Sequence, residues 1–194
     1  RTLWLAACVS SSEAKVALAA HQIVMQRDHR SLLLLLPGEG IDRQIFLQTA
    51  EAAGLRVACR SEGVLPDTLT QVYVADSCDG LSAYYRLSPV AFLGQSMDQG
   101  AKGIDPFVAA AFGCALLYGP NVSFYEERYR RLTKEGGARM IRSAATLAQA
   151  ISLLSNPAQS ARMALAAWET ISEGAEVTDA LIDIALAHCD AIGP

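Results

Sequence analysis

The run Leu3-Trp4-Leu5-Ala6-Ala7-Cys8-Val9, the polar turn Ser10-Ser11-Ser12-Glu13, and the run Leu32-Leu33-Leu34-Leu35-Leu36 closed by Pro37 decide the fold. The first run has the length and composition of a strand, and Ser10 with Glu13 three residues later is the capping-box signature of a helix start. Val16, Ala20, Ile23 and Arg27 then recur at intervals of four, three and four residues, so the sequence expects them on one helix face. The leucine run carries no polar alternation, which is the pattern of a strand covered on both sides. Strand, crossover helix and buried strand make the repeating unit of a parallel sheet.

Downstream the same unit recurs. Phe46, Ala50 and Ala53 mark a helix closed by Gly54, followed by expected strands over Leu55–Cys59 and Gln71–Ala75. Asp76 is expected to cap a short helix containing Leu81, Tyr84 and Tyr85. Pro89–Leu93 reads as another buried strand, running into a loop from Gly94 to Gly103 that holds three glycines. Asp105 is placed to cap the next helix, Pro106 suits its first turn, and Gly113 closes it before the strand Cys114–Tyr118. A helix around Ser123–Lys134, a last strand over Ala138–Arg142 and helices after Ala144, broken at Asn156-Pro157 and Gly174, complete the chain. The fold class is therefore α/β, a Rossmann-like parallel sheet with helices on both faces.

Composition narrows the function. Of 194 residues, 52% are hydrophobic and 19% charged, which excludes a disordered chain. Sixteen basic against twenty acidic side chains leave a formal charge of −4, which disfavours a nucleic-acid partner. The five cysteines contain no C-x-x-C pair and read as reduced, mostly core residues of a cytosolic protein. The longest apolar run, Leu3–Val9, has seven residues, far below the roughly 20 that cross a bilayer. Because the chain opens directly on strand-like residues after Arg1, the expectation is a piece that begins at a domain boundary.

In a doubly wound sheet, ligands sit beyond the carboxyl ends of the strands, so the loops at Ser10, Pro37, Asp76, Gly94 and Gly119 are expected to share one crevice. The Gly94–Gly103 loop is the best local candidate, because glycines let backbone amides approach a phosphate ahead of a helix N-terminus. The same glycines also fit an ordinary strand-ending loop. Asp105 would repel an anion, and Lys102 could offset it. Gly38-Glu39-Gly40 lacks the third glycine of a dinucleotide fingerprint, and no P-loop occurs. His21, His29 and His188 lack metal-ligand spacing, so no metal is expected. Cys78 could be a thiol at a helix start but has no neighbouring histidine, and no nucleophile triad can be assembled.

At these loops the chain resembles the carboxyl-terminal half of the Kdo transferases, GT-B glycosyltransferases that attach 3-deoxy-D-manno-octulosonic acid to lipid A. The resemblance rests on the order and spacing of several segments across nearly the whole chain. They are Trp4-Leu5-Ala6-Ala7 with Glu13, Ala53–Ala58 with Arg60-Ser61-Glu62-Gly63, Val74-Ala75-Asp76-Ser77, and Pro89–Ser96. Asp105-Pro106, Gly113–Pro120, and Asn156-Pro157 through Arg162-Met163 complete the series.

The resemblance implies a donor domain over residues 1–173 that takes CMP-Kdo or another nucleotide sugar, without a cofactor. A carboxyl-terminal helix over 174–194 would pack toward an amino-terminal half. By the same resemblance, that half carries the catalytic carboxylate, the lipid A precursor site and the membrane contact, at the inner face of a Gram-negative inner membrane in lipopolysaccharide biosynthesis. This chain would then hold no catalytic residue. The implied donor-binding residues are Pro37, Ser77, Cys78, Asp79, Gly94, Ser96, Lys102, Gly103 and Asp105.

Several motifs depart from the family pattern. Pro-Arg-His becomes Pro37-Gly38-Glu39, Asp-Thr-Met-Gly-Glu-Leu becomes Asp76–Leu81, and Gly-Gly-Ser becomes Gly94-Gln95-Ser96. Gly-Gly-His-Asn-Pro-Leu-Glu becomes Lys102–Val108, where Val108 cannot accept a ribose hydrogen bond. Losing a phosphate cation and a ribose acceptor would forgo about one and a half to three decades of affinity. The alternative is therefore a binding or structural module that kept the fold and lost catalysis.

Overall fold

The computed structural model describes residues 1–63, 65–75 and 80–173. The elements are β1 (Leu3–Val9), α1 (Ser11–Met25), β2 (Leu32–Pro37), α2 (Arg43–Ala52), β3 (Val57–Cys59), β4 (Val72–Val74), α3 (Leu81–Leu87) and β5 (Val90–Leu93). They continue as α4 (Pro106–Ala111), β6 (Ala115–Tyr118), α5 (Glu126–Lys134), β7 (Ala138–Met140) and α6 (Ala144–Leu154), followed by helical residues 157–173. All strand pairings are parallel, in the order β3-β4-β2-β1-β5-β6-β7. The chain winds outward from β1 through β2, then returns beside β1 as β5 and winds the other way. The reversal at β1 and β5 opens the crevice at their carboxyl ends.

Period-two alternation divides the core. Trp4, Ala6, Leu33 and Leu35 face α1, α2 and α6, whereas Leu5, Ala7, Leu34 and Leu36 face Tyr84, Tyr85, Ala109 and Tyr129 on the opposite layer. Each fully buried leucine contributes about 1.5–3 kcal/mol relative to exposure. The central strands, wholly buried, are therefore the stable floor under the loops.

The structure moves some of the expected boundaries and faces. The buried stripe of α1 is Ala14, Ala17, Leu18, Ala20, His21 and Val24, with Val16 packed against the same core, while Ile23 is 40% exposed and Arg27 is exposed. Small alanines let α1 lie close on the sheet and against α6, which rotates the helix away from the face that the larger residues mark. The edge strands are shorter than expected, β3 spanning Val57–Cys59 and β7 Ala138–Met140, because edges have fewer partners to keep them extended; β4, paired on both sides, is also shorter than expected at Val72–Val74. Gly80, in the left-handed region at φ +73°, is the N-cap residue of α3 in place of the expected Asp76.

Among the described residues, the one imidazole in the core, His21, is held by geometry. Trp4 donates its indole N–H to His21 Nδ1 at 3.2 Å, and His21 Nε2 lies 2.9 Å from the Gln71 carbonyl, which selects the neutral Nε2–H form. Burial is the chief cause of its pKa falling to about 4. Cys114 is a free, buried thiol whose pKa burial raises to about 12. Cys8 is disulfide-bonded, which corrects the expectation that all five cysteines are reduced.

Candidate functional site

The crevice is organised by a carboxylate. The capping box places Glu13 in the first turn of α1, where its side chain is fully buried. Oε2 accepts from the Ser10 amide at 2.9 Å and the Gln95 amide at 2.7 Å. Oε1 accepts from the Ser96 amide at 2.7 Å and the Met97 amide at 2.9 Å. One anion thus ties the start of α1 to the turn after β5 with four charge-assisted hydrogen bonds. Such bonds contribute about 1.5–3 kcal/mol each when the geometry is good.

Close backbone contacts complete the seat. A Cβ on Gly94 would stand 2.7 Å from Ala7 O, Cys8 O and Val9 Cα, so no side chain fits between β1 and β5. Cys8 and Gln95 both sit at φ +53°, left-handed backbone at non-glycine residues on the two strand ends that meet. Gly38 donates its N–H to Val9 O and lies beside Cys8 O and the Gln95 side chain, bringing the loop after β2 to the same place. The loop after β6 joins through Gly119 N–H to Ser96 Oγ at 2.8 Å, Asn121 N–H to Ser96 O at 2.7 Å, and Asn121 Nδ2 to Met97 O.

The structure distributes the expected site residues unevenly. Pro37, Gly94, Ser96 and Gly103 are brought together, with Gly103 donating its N–H to Gln95 O. Ser96 is wholly buried, its hydroxyl donating to Leu93 O and accepting from Gly119 N–H, so it shapes the turn from beneath. Lys102 is exposed, with Nζ 5.3 Å from the Phe124 ring centroid. Asp105 caps α4 by accepting from the Phe107 amide and also pairs with Arg128. Ser77, Cys78 and Asp79 lie outside the described residues, as does the helix expected over 174–194.

Sequence reasoning missed two charged groups here. The Ser10 and Ser12 hydroxyls both donate to the Asp98 carboxylate, which therefore covers the N-terminus of α1. Arg128 lies over the Phe107 and Tyr125 rings at 4.9 and 5.6 Å and reaches Asp105. No local signal reveals either, because each joins residues 23 to 88 positions apart. Among the described residues no cluster of histidine, cysteine, aspartate and glutamate could hold a metal, and no helix is long and apolar enough to cross a membrane.

No family profile matches the chain. It is 27% identical over 186 residues to the 3-deoxy-D-manno-octulosonic acid transferase of Haemophilus influenzae, covering 95% of this chain and 43% of that protein. The crystal structure of the carboxyl-terminal CMP-Kdo binding domain of WaaA from Acinetobacter baumannii superposes with a TM-score of 0.80 at 20% identity, covering 88% of this chain and 89% of that one. The chain is thus similar to a Kdo transferase over nearly its whole length and has the fold of a Kdo transferase's carboxyl-terminal domain. WaaG, a glycosyltransferase involved in lipopolysaccharide biosynthesis, shares the fold at TM-score 0.58 and 13% identity, over 87% of this chain and 42% of its own. The sheet is thus that of a GT-B carboxyl-terminal domain. The domain spans less than half the length of the Haemophilus transferase.

Proposed function

We propose that the domain binds the nucleotide-activated sugar, CMP-Kdo, of a Kdo-transferase-like glycosyltransferase that modifies a lipid A precursor. The observation that carries this reading is the convergence of four loops: those after β1 and β5 meet on the Glu13 carboxylate, the loop after β2 joins through Val9, and the loop after β6 joins through Ser96 and Met97. That seat stands at the switch point where doubly wound sheets take nucleotides. Pro37, Gly94, Gly103 and the Ser77–Asp79 segment shape the donor seat, with Ser96 supporting it from below. Lys102 supplies the cation nearest the donor phosphate, and Asp105 orients Arg128 beside it. The acceptor, the catalytic base and the membrane contact at the cytoplasmic face of the inner membrane belong to the remainder of a longer transferase.

A second reading, a module that kept the fold without donor binding, is favoured by one specific arrangement. The Glu13 and Asp98 carboxylates occupy the amides and hydroxyls that a donor phosphate would otherwise take. Calorimetric titration of CMP and CMP-Kdo into the chain separates the two. Saturable binding of CMP-Kdo, stronger than that of CMP, is expected. Absence of heat for both ligands at millimolar concentration would refute the donor reading in favour of the second.

A further inference from the structure

The carboxyl end of β1 carries a covalent cross-link. Cys8 is disulfide-bonded and 6% exposed, whereas Cys59 and Cys114 are free thiols. The backbone is irregular at the same place. Along β1 and β2 the register shifts between Ala6, opposite Leu35, and Val9, opposite Pro37, so Ala7 and Cys8 together stand against Leu36 alone. This is a β-bulge, which re-aims a side chain at a strand end. Cys8 lies in it at φ +53°, a conformation that a residue other than glycine keeps only where its surroundings impose it.

The bulge lies in the middle of the crevice. Gly94 donates its N–H to Ala7 O at 2.8 Å and Gly38 donates to Val9 O at 2.9 Å, so the loops after β5 and β2 hang from the residues on either side of Cys8. A Cβ on Gly94 would meet Cys8 O at 2.7 Å, and one on Gly38 would meet it at 3.3 Å. With so little clearance, the Cys8 carbonyl cannot turn without moving both loops. Opening the cross-link frees Cys8 to leave the left-handed region, and the seat at Gly38 and Gly94 loosens with it.

We propose that the Cys8 disulfide is a reversible thiol–disulfide switch, which holds the donor crevice in its binding geometry when closed and loosens it when open. Resting on the donor reading above, the switch operates at the cytoplasmic face of the membrane, where disulfides are rare and those that form are usually transient and redox-sensing. A low-molecular-weight disulfide such as oxidised glutathione closes it by two exchanges. One protein thiolate attacks a sulfur of the small disulfide and expels a first glutathione thiolate. The second protein thiolate attacks the mixed disulfide and expels the other. The chain gives up two electrons to oxidised glutathione, and the two thiol protons end on the two glutathiones.

The test uses the full chain in glutathione buffers of varied ratio. Peptide mapping should find Cys8 in a disulfide in the oxidising buffers and as a thiol in the reducing ones. The open form should bind CMP-Kdo about tenfold or more weakly by calorimetry. Hydrogen exchange at the Gly38 and Gly94 amides should accelerate on opening, which reads the switch without a ligand. Cys8→Ser should behave as the open form in every buffer. If it fails to fold, Cys8→Gly, which accepts φ +53° without strain, should bind CMP-Kdo equally with and without reductant. The proposal is overturned if Cys8 is a thiol in every buffer, if dithiothreitol but no glutathione buffer opens the link, or if a folded Cys8 variant keeps the redox response. It is overturned equally if opening changes neither CMP-Kdo affinity nor exchange at Gly38 and Gly94. If neither form binds CMP-Kdo while exchange still responds, the donor reading fails and the switch in this crevice stands.

Discussion

Replacing Glu13 by glutamine preserves the shape of the side chain and removes half of its accepting capacity. Each carboxylate oxygen takes two backbone amides, so whichever way the new amide group turns, two N–H groups face its NH2. Stranding two buried donors costs about 1–3 kcal/mol each, and the two surviving bonds lose their charge assistance, about 1 kcal/mol each. Relief from burying an ion offsets a few kcal/mol of that sum. The net loss is about 2–5 kcal/mol, a large share of the 5–15 kcal/mol, roughly, that a domain possesses. In urea, with a slope of about 2 kcal/mol per molar, the midpoint should fall by about 1–2 M at an unchanged slope. Hydrogen exchange at Gln95, Ser96 and Met97 should accelerate far more than in β6, because those amides lose their acceptors directly. A Glu13→Gln chain whose midpoint and exchange match the parent would refute the claim that this carboxylate holds the crevice together.

Four further outcomes are expected. His21 has a folded pKa near 4 against 6.5 unfolded, so the unfolded state takes up the proton first as pH falls; its contribution is intact above about 6.5, fades down to about 4 and is lost below. That loss amounts to about 3 kcal/mol, measurable as the difference in urea stability between parent and His21→Gln across this window. Gly94→Ala drives a Cβ into the β1 backbone and should destabilise the chain by about 3 kcal/mol or more, checked by thermal melting. Lys102→Ala should weaken CMP-Kdo about tenfold, some 1.4 kcal/mol, by calorimetry; unchanged affinity would remove Lys102 from the phosphate site. The purified chain incubated with CMP-Kdo and a lipid A precursor should yield no product, because transfer needs a base on the acceptor hydroxyl, and robust transfer would place that base in this chain.

The sequence alone determined whatever depends on near neighbours. The β1–α1–β2 unit, the Ser10–Glu13 capping box, and the Asp105 cap with Pro106 in the first turn of α4 all appear as their spacing requires. Capping and strand alternation are set within a few residues, by side chains competing for local amides and by a two-residue repeat against a buried layer. Edge strands and the face of α1 were legible only in part, because propensity there is weak and the packing of small alanines against α6 sets the rotation.

The site itself belonged to the tertiary structure. Glu13 is visible in the sequence as a capping residue, yet three of its four amides come from residues 82 to 84 positions away. Ser96 reads as a ligand-facing hydroxyl until Leu93 and Gly119 enclose it, and Asp98 reads as a loop acid until Ser10 and Ser12 meet it. Coulomb attraction and hydrogen bonding act through space, so a carboxylate's partners are fixed by which strands the sheet places side by side. Parallel pairing brought β5 against β1 and not against β4, and that single adjacency put the turn after β5 over the start of α1.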